Sequence, residues 1–176
     1  MKTLYIVRHC SATGQSPEAE LTEKGHQQAQ ELASFFKNTE ISHIISSPFT
    51  RAQHSILPTA QEKNLSLLVD KRLSERILST SDLPNWLEVL EETFKDLDLT
   101  LASGESSREA NARAIEVIDA APNNSIVVTH GNLMSLILKH FDSSIGFHEW
   151  KSLSNPDVYT VTIDQHGSTI TRVWKK

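Results

Sequence analysis

Two short apolar runs, each stopped by a cation or an imidazole, constrain this chain more than anything else in it. Leu4-Tyr5-Ile6-Val7 breaks off in Arg8-His9, and Ser125-Ile126-Val127-Val128-Thr129 breaks off in His130. Runs of this length, rich in β-branched residues, read as buried strands. Open α/β sheets hold their ligands outside the carboxyl ends of their strands. Two strands that both end in an imidazole therefore predict a two-histidine site at one sheet edge.

Between those runs, apolar periodicity alternates between strand and helix. A loop of small residues, Ser11-Ala12-Thr13-Gly14-Gln15-Ser16-Pro17, follows the first run, and such loops let main-chain N–H groups approach an anion. Thr22 reads as an N-cap for a helix with Ala29, Leu32, Ala33 and Phe36 on its buried face. Gly25 is expected only to weaken that helix's first turn. His43–Ser46 is a second short strand, and Ser47-Pro48 reads as N-cap and first residue of a second helix, with Arg51 in its first turn. Pro58 is expected to kink or break this helix.

Leu65 to Val69 gives a third strand, followed by the polar connection Leu73-Ser74-Glu75-Arg76. Leu83, Trp86, Leu87, Leu90, Phe94 and Leu97 form a helical stripe inside residues 79–105, an expected cap-like insertion over one end of the sheet and a candidate lid. Ala110, Ala114, Val117 and Ile118 mark the next helix, and Leu133 to Phe141 the one after His130. Asp157 in Asn155-Pro156-Asp157 reads as turn chemistry. Val158–Ile163 and Thr169–Val173 alternate apolar with polar residues around Gln165-His166-Gly167, a C-terminal hairpin. The order predicts a single α/β domain over residues 1–176: a three-layer sandwich with a mostly parallel central sheet and helices on both faces.

Composition narrows the function. A formal net charge of −5 argues against non-specific nucleic-acid binding, which needs a basic surface. A single cysteine rules out an internal disulfide and suits a reducing compartment. No apolar run approaches membrane-spanning length, and the first residues run straight into a strand without a signal peptide, so a cytoplasmic location and no membrane partner are expected.

Arg8, His9, Arg51 and His130 all fall at or just past the ends of apolar runs. Two guanidiniums converging with two imidazoles make a pocket for a dianion, because the planar guanidinium fork matches phosphoryl oxygens. No acidic pair accompanies them, so neither a metal nor another cofactor is implied. A neutral imidazole is a competent nucleophile at phosphorus. The two arginines are expected to keep His9 neutral. A departing alkoxide needs a proton, and Glu75 is the best-placed carboxyl to supply it.

Arg8-His9 after a strand, Ser46-Ser47-Pro48 with Arg51, Leu73-Ser74-Glu75, and Thr129-His130-Gly131 together resemble the histidine phosphatase superfamily, the phosphoglycerate mutase-like proteins. The resemblance runs from residue 2 to the final hairpin. It implies a phosphohistidine intermediate on His9, a phosphate pocket of Arg8, Arg51 and His130, and Glu75 as proton donor. Gln15 stands where members often carry a phosphate-contacting Asn, and Asn132 is placed to support the pocket by hydrogen bonding.

Three departures matter. Cys10 stands where members of that superfamily usually carry Gly after Arg-His; its side chain is expected either to narrow the pocket mouth, to make the site sensitive to oxidation, or to serve as a small packing residue. Arg76-Ile77-Leu78-Ser79 stands where mutases carry Tyr-Gly and many phosphatases carry Gly-x-Trp-Glu-Gly. The chain is also short for a mutase. These favour hydrolysis of a phosphomonoester, in a small metabolite or a phosphoprotein, over mutase-type phosphoryl transfer or a catalytically weakened binding module. A Cys-x5-Arg phosphatase loop starting at Cys10 would need Arg at position 16, where the chain has Ser16.

Overall fold

Parallel pairing lays the two apolar runs side by side. In the computed structural model, which describes residues 1–175, β1 (Lys2–Arg8) pairs in parallel with β4 (Ser125–Thr129), from Leu4 opposite Ser125 to Arg8 opposite Thr129. β2 (His43–Ser46) runs parallel along the other side of β4, and β3 (Leu67–Val69) runs parallel along β2. β5 (Asp157–Asp164) pairs antiparallel with β1, and β6 (Gly167–Arg172) with β5. The order is β3-β2-β4-β1-β5-β6, so the four parallel strands finish at one edge. The ladder continues one residue past two of them: His9 N donates to Thr129 O at 3.1 Å, and Ser47 N donates to Val128 O at 3.0 Å.

Strand alternation splits the core in two. Val7, Ile44, Ile126, Val128 and Val158 pack beneath α1 (Glu23–Phe36) and α2 (Thr50–Glu62). Leu4, Ile6, Ile45, Val127 and Val161 face α4 (Ser107–Ala120) and α5 (Gly131–Phe141). On that second face α3 (Trp86–Lys95) buries Leu90 and Phe94, and the short α6 (Phe147–Ser152), which the sequence did not foretell, adds Phe147 and Trp150. The sandwich is thus three layers around a mixed, largely parallel sheet, as expected. No helix among the described residues is long and apolar enough to cross a membrane.

Three local readings need correction. The second helix starts at Thr50 with Phe49 as N-cap, not at Ser47-Pro48, because the Ser47 hydroxyl is taken up by His130 and by Phe49 N. Pro58 does not break α2, which runs on to Glu62. Ser55, Ile56, Thr59 and Ala60 are buried on both sides of the proline, so packing against the neighbouring layer offsets one missing N–H donor. Asp157 is not a turn residue but the first residue of β5, fully buried and ion-paired with Arg172, with Ser154 N donating to it at 2.9 Å.

Gly25 has a stronger reason than expected. A Cβ there would lie 2.1 Å from the main-chain oxygen of Ser11, which also accepts from Thr22 N at 3.0 Å. The bare backbone lets the loop after β1 sit directly on the first turn of α1. Helix propensity alone favours alanine at such a position by about 1 kcal/mol. The contact reverses that sign: Gly25→Ala is expected to lower the unfolding free energy by about 1–3 kcal/mol, read by urea denaturation. A neutral or stabilising result would show that the loop can move aside freely.

Candidate active site

Each side chain of the site is held by the element that carries it. His9 stands one residue beyond β1, and its Nδ1 lies 2.7 Å from the carbonyl oxygen of Cys10. A carbonyl only accepts, so Nδ1 carries the ring proton and Nε2 keeps its lone pair. Arg51 Nε approaches that Nε2 at 3.3 Å. The main-chain oxygen of His9 accepts from Asn155 Nδ2 at 3.0 Å. His130 stands one residue beyond β4. Its ring centroid is 5.1 Å from that of His9, with the planes inclined at 62°.

Ser47 Oγ is 2.8 Å from His130 Nε2 and accepts from Phe49 N at 3.2 Å. The hydroxyl proton is then free for Nε2, an assignment that leaves the ring proton on Nδ1. That nitrogen is buried and has no partner among the described residues.

The guanidiniums are anchored by carbonyls. Arg51, only 1% exposed, donates through Nη1 to Ser16 O at 2.8 Å and Gln15 O at 3.3 Å, and its Cζ sits 5.0 Å from the Phe49 ring centroid. Ser55 Oγ donates to Arg51 O at 2.6 Å and accepts from Cys10 N at 2.7 Å, tying α2 to the end of β1. Arg8 Nη1 donates to Leu153 O at 3.2 Å. Its guanidinium lies so close over Gly131 that a Cβ there would be 3.0 Å from Cζ, Nε and Nη2.

Glu75 answers them from the connection after β3. Its Oε1 accepts from Arg76 N at 2.8 Å and Leu133 N at 2.9 Å, and its Oε2 from Asn132 N at 3.1 Å. The carboxyl thereby caps the N-terminus of α5, directly after His130.

Burial sets the protonation states. It lowers the pKa of His9 to about 4, with Arg51 and Arg8 adding to the shift and the Cys10 carbonyl opposing it. The arginines were expected to keep His9 neutral; burial is the larger cause. His130 is pushed well below the usual histidine range by burial first, then by His9, Arg51, Arg8 and Arg113. Glu75 moves the other way: burial raises it despite three N–H donors and the nearby Arg8. Two neutral imidazoles, two cations and a carboxyl whose affinity for its proton is raised by burial therefore share one edge, an arrangement able to bind a phosphoryl dianion and exchange protons with it.

Arg8, His9, Arg51, Glu75 and His130 are thus brought together. Asn132 is 8% exposed, donates its N–H to Glu75, and has a buried Oδ1 with no partner among the described residues. Gln15 lies exposed and reaches the site through its carbonyl on Arg51. Of the readings of Cys10, packing is the one the structure bears out, and narrowing of the pocket mouth is overturned. The residue is fully buried in the core beneath α1 and α2, away from the pocket mouth, and burial raises its thiol pKa to about 12. Burial thus disfavours the thiolate on which oxidation depends. Among the described residues no group of three or more His, Cys, Asp or Glu could hold a metal ion.

Ser47, Phe49 and Asn155 were missed as site residues. A serine just past a strand's end was the available signal for Ser47. Asn155 gave none, since its partner lies 146 residues away.

The family model for the histidine phosphatase superfamily (branch 1) matches residues 4–175. The chain is 29% identical over 171 residues to a probable phosphoglycerate mutase GpmB of Shigella dysenteriae, covering 85% of this chain and 78% of that one. Among solved structures, Bacillus stearothermophilus YhfR superposes with a TM-score of 0.78 at 20% identity, covering 98% of this chain and 96% of that one. A mycobacterial glucosyl-3-phosphoglycerate phosphatase gives 0.74 at 20% identity, covering 98% and 97%. A phosphoserine phosphatase of Entamoeba histolytica gives 0.75 at 19% identity, covering 97% and 95%.

The neutral imidazoles carry a stability cost in acid. Between pH 6.5 and about 4 the unfolded chain binds a proton at His9 that the folded chain refuses. Stability is therefore lost as pH falls through that window, by up to about 3 kcal/mol from His9. His130 adds in the same direction. Urea titrations from pH 7 to 4.5 are expected to show this decline, and His9→Gln to make it shallower. An unchanged slope in the variant would mean that His9 is not buried neutral.

Proposed function

The chain belongs to the histidine phosphatase superfamily, branch 1, and we infer that it hydrolyses phosphomonoesters through a phosphohistidine on His9 with Glu75 as proton donor. The reading is carried by one observation: the Cys10 carbonyl fixes the proton of His9 on Nδ1, leaving the Nε2 lone pair beside Arg51. Membership of the family supports a phosphatase or phosphoryl-transfer enzyme.

In the first half-reaction Nε2 of His9 attacks phosphorus and the bond to the leaving oxygen breaks. That oxygen takes the proton of Glu75 and departs as an alcohol. Arg8 and Arg51 balance the charge on the remaining phosphoryl oxygens, and the Nδ1–H of His130 donates to one of them. In the second half-reaction water attacks phosphorus and yields a proton to the Glu75 carboxylate. The P–N bond breaks, its electron pair returns to Nε2, and inorganic phosphate leaves with the site restored.

The burial that raises Glu75 favours its protonated form at the start, and its N–H donors stabilise the carboxylate once the proton has gone. The proposed substrate class is a small phosphorylated metabolite, in keeping with the phosphoserine and glucosyl-3-phosphoglycerate named for two structural neighbours. Transfer between two hydroxyls is the second reading, favoured by the probable mutase among the relatives. Incubation with a phosphoglycerate separates the two: hydrolysis releases inorganic phosphate, whereas transfer returns an isomer.

Wild-type protein is expected to turn over p-nitrophenyl phosphate and to trap acid-labile, alkali-stable label from a phosphorylated substrate. His9→Ala is expected to do neither, and equal turnover by the two proteins would end the nucleophile assignment. Glu75→Gln is expected to slow an alkyl phosphate by about 100- to 10,000-fold while leaving 2,4-dinitrophenyl phosphate, whose leaving group needs no proton, far less affected. Equal slowing would remove Glu75 as the acid.

A further inference from the structure

The connection that carries Glu75 has almost no regular structure of its own. After β3 a single 3-10 turn, Lys71–Leu73, is followed by irregular chain as far as α3. Thr129 Oγ1 donates to Leu73 O at 2.7 Å and holds the start of this segment. Beyond Leu73, the segment is held from behind by an ion pair and by the guanidinium of Arg76, whose Nη1 donates to Ser107 Oγ at 3.0 Å.

Arg113 of α4 has five N–H donors, and each is directed at an acceptor. Nε and Nη2 reach the two carboxylate oxygens of Glu105 at 2.7 and 2.9 Å. Nη1 reaches Arg72 O at 2.6 Å and Ser74 O at 2.9 Å, and Nη2 also reaches Glu75 O at 3.4 Å. Glu105 grips the far side of the same segment, its Oε2 accepting from Ile77 N at 3.0 Å. Its carbonyl accepts from Arg76 Nε and Nη2 at 3.2 and 2.9 Å. Residues 74, 75, 76 and 77 are therefore each bonded to this pair. The Arg113–Glu105 ion pair is itself only about a quarter exposed on either side, which limits screening by solvent.

We propose that Arg113 and Glu105 position Glu75 for proton transfer, fixing its main chain from the α4 side while the N-terminus of α5 fixes its carboxyl. The proposal rests on the reading of Glu75 as the acid. Proton donation needs hydrogen-bond reach of the leaving oxygen, and a displacement of about 1 Å away from the chemistry can cost about 100-fold. Lysine at position 113 keeps the charge but replaces a planar fork by one ammonium, which cannot span a carboxylate and three carbonyls.

The test uses Arg113→Lys and Glu105→Gln beside Glu75→Gln, each assayed on phosphoserine and on 2,4-dinitrophenyl phosphate, with inorganic phosphate as competitive inhibitor. For both positioning variants kcat on phosphoserine is expected to fall by at least about tenfold, part of the roughly 100- to 10,000-fold that an acid supplies, with loss on the activated ester below about threefold. The inhibition constant of phosphate is expected to stay within about twofold, because the pocket of Arg8, Arg51 and the two imidazoles is left alone. Equal loss on both esters, weaker phosphate binding, or no loss would make the pair a structural staple and overturn the proposal. Should Glu75→Gln itself slow both esters alike, the acid assignment fails and the positioning role falls with it. If Glu75→Gln alone is selective, only the positioning role is lost.

Discussion

Everything at this site depends on the in-register parallel pairing of β1 with β4. Arg8 opposite Thr129 places His9 and His130 as the next residues on adjacent strands, which sets their rings 5.1 Å apart. Side chains alternate between sheet faces, so a slip of one residue would exchange the two cores and carry the imidazoles apart. The register is locked by the cores themselves: Leu4 and Ile6 belong beneath α4 and α5, Val7 beneath α1 and α2. The hydrophobic pattern of two short strands, residues with no chemistry of their own, is therefore what aligns the reactive groups.

The same burial then gives those groups their reactive states. Taking an imidazole out of water penalises its cation, and taking a carboxyl out of water penalises its anion. His9 and His130 thus fall and Glu75 rises, although all three share one edge. The shifts thus run in opposite directions at one edge, the imidazoles toward their neutral form and the carboxyl toward its acid form, which is the separation that the proposed roles of His9 and Glu75 require. The guanidiniums remain charged under the same desolvation, because their carbonyl partners at Ser16, Gln15 and Leu153 replace water.

How much of this was legible in the sequence follows from the distance over which each feature is determined. The strand runs, the helical stripes and the final hairpin repeat within a few residues, and they were found. Arg8, His9, Arg51 and His130 were found because each ends a run or follows one closely. Glu75 came from its motif, but the α5 amides that hold it are 57 and 58 residues away. Asn155 on His9 and Ser47 on His130 act across still greater separations, 146 and 83 residues, the Arg113 fork reaches residues 72 to 75 across 38 to 41, and no local pattern marks them. Pro58 failed as a helix breaker for a related reason: its cost is local, while the packing of Ile56 and Ala60 that outweighs it is tertiary.

Position 10 shows why such a site can carry a side chain other than the glycine that the resemblance leads one to expect there. What position 10 contributes is its carbonyl, on His9 Nδ1, and its N–H, on Ser55. Both belong to the main chain and would be the same in any residue able to take this backbone path. Positions 15, 16 and 153 likewise contribute only carbonyls, and positions 132 and 133 contribute N–H groups to Glu75. Preorganised main-chain dipoles therefore do much of the orienting at this edge. At position 10 the side chain is decided by the other surface it faces, the core beneath α1 and α2, where a small apolar thiol joins the cluster that also holds Val7 and Ala52.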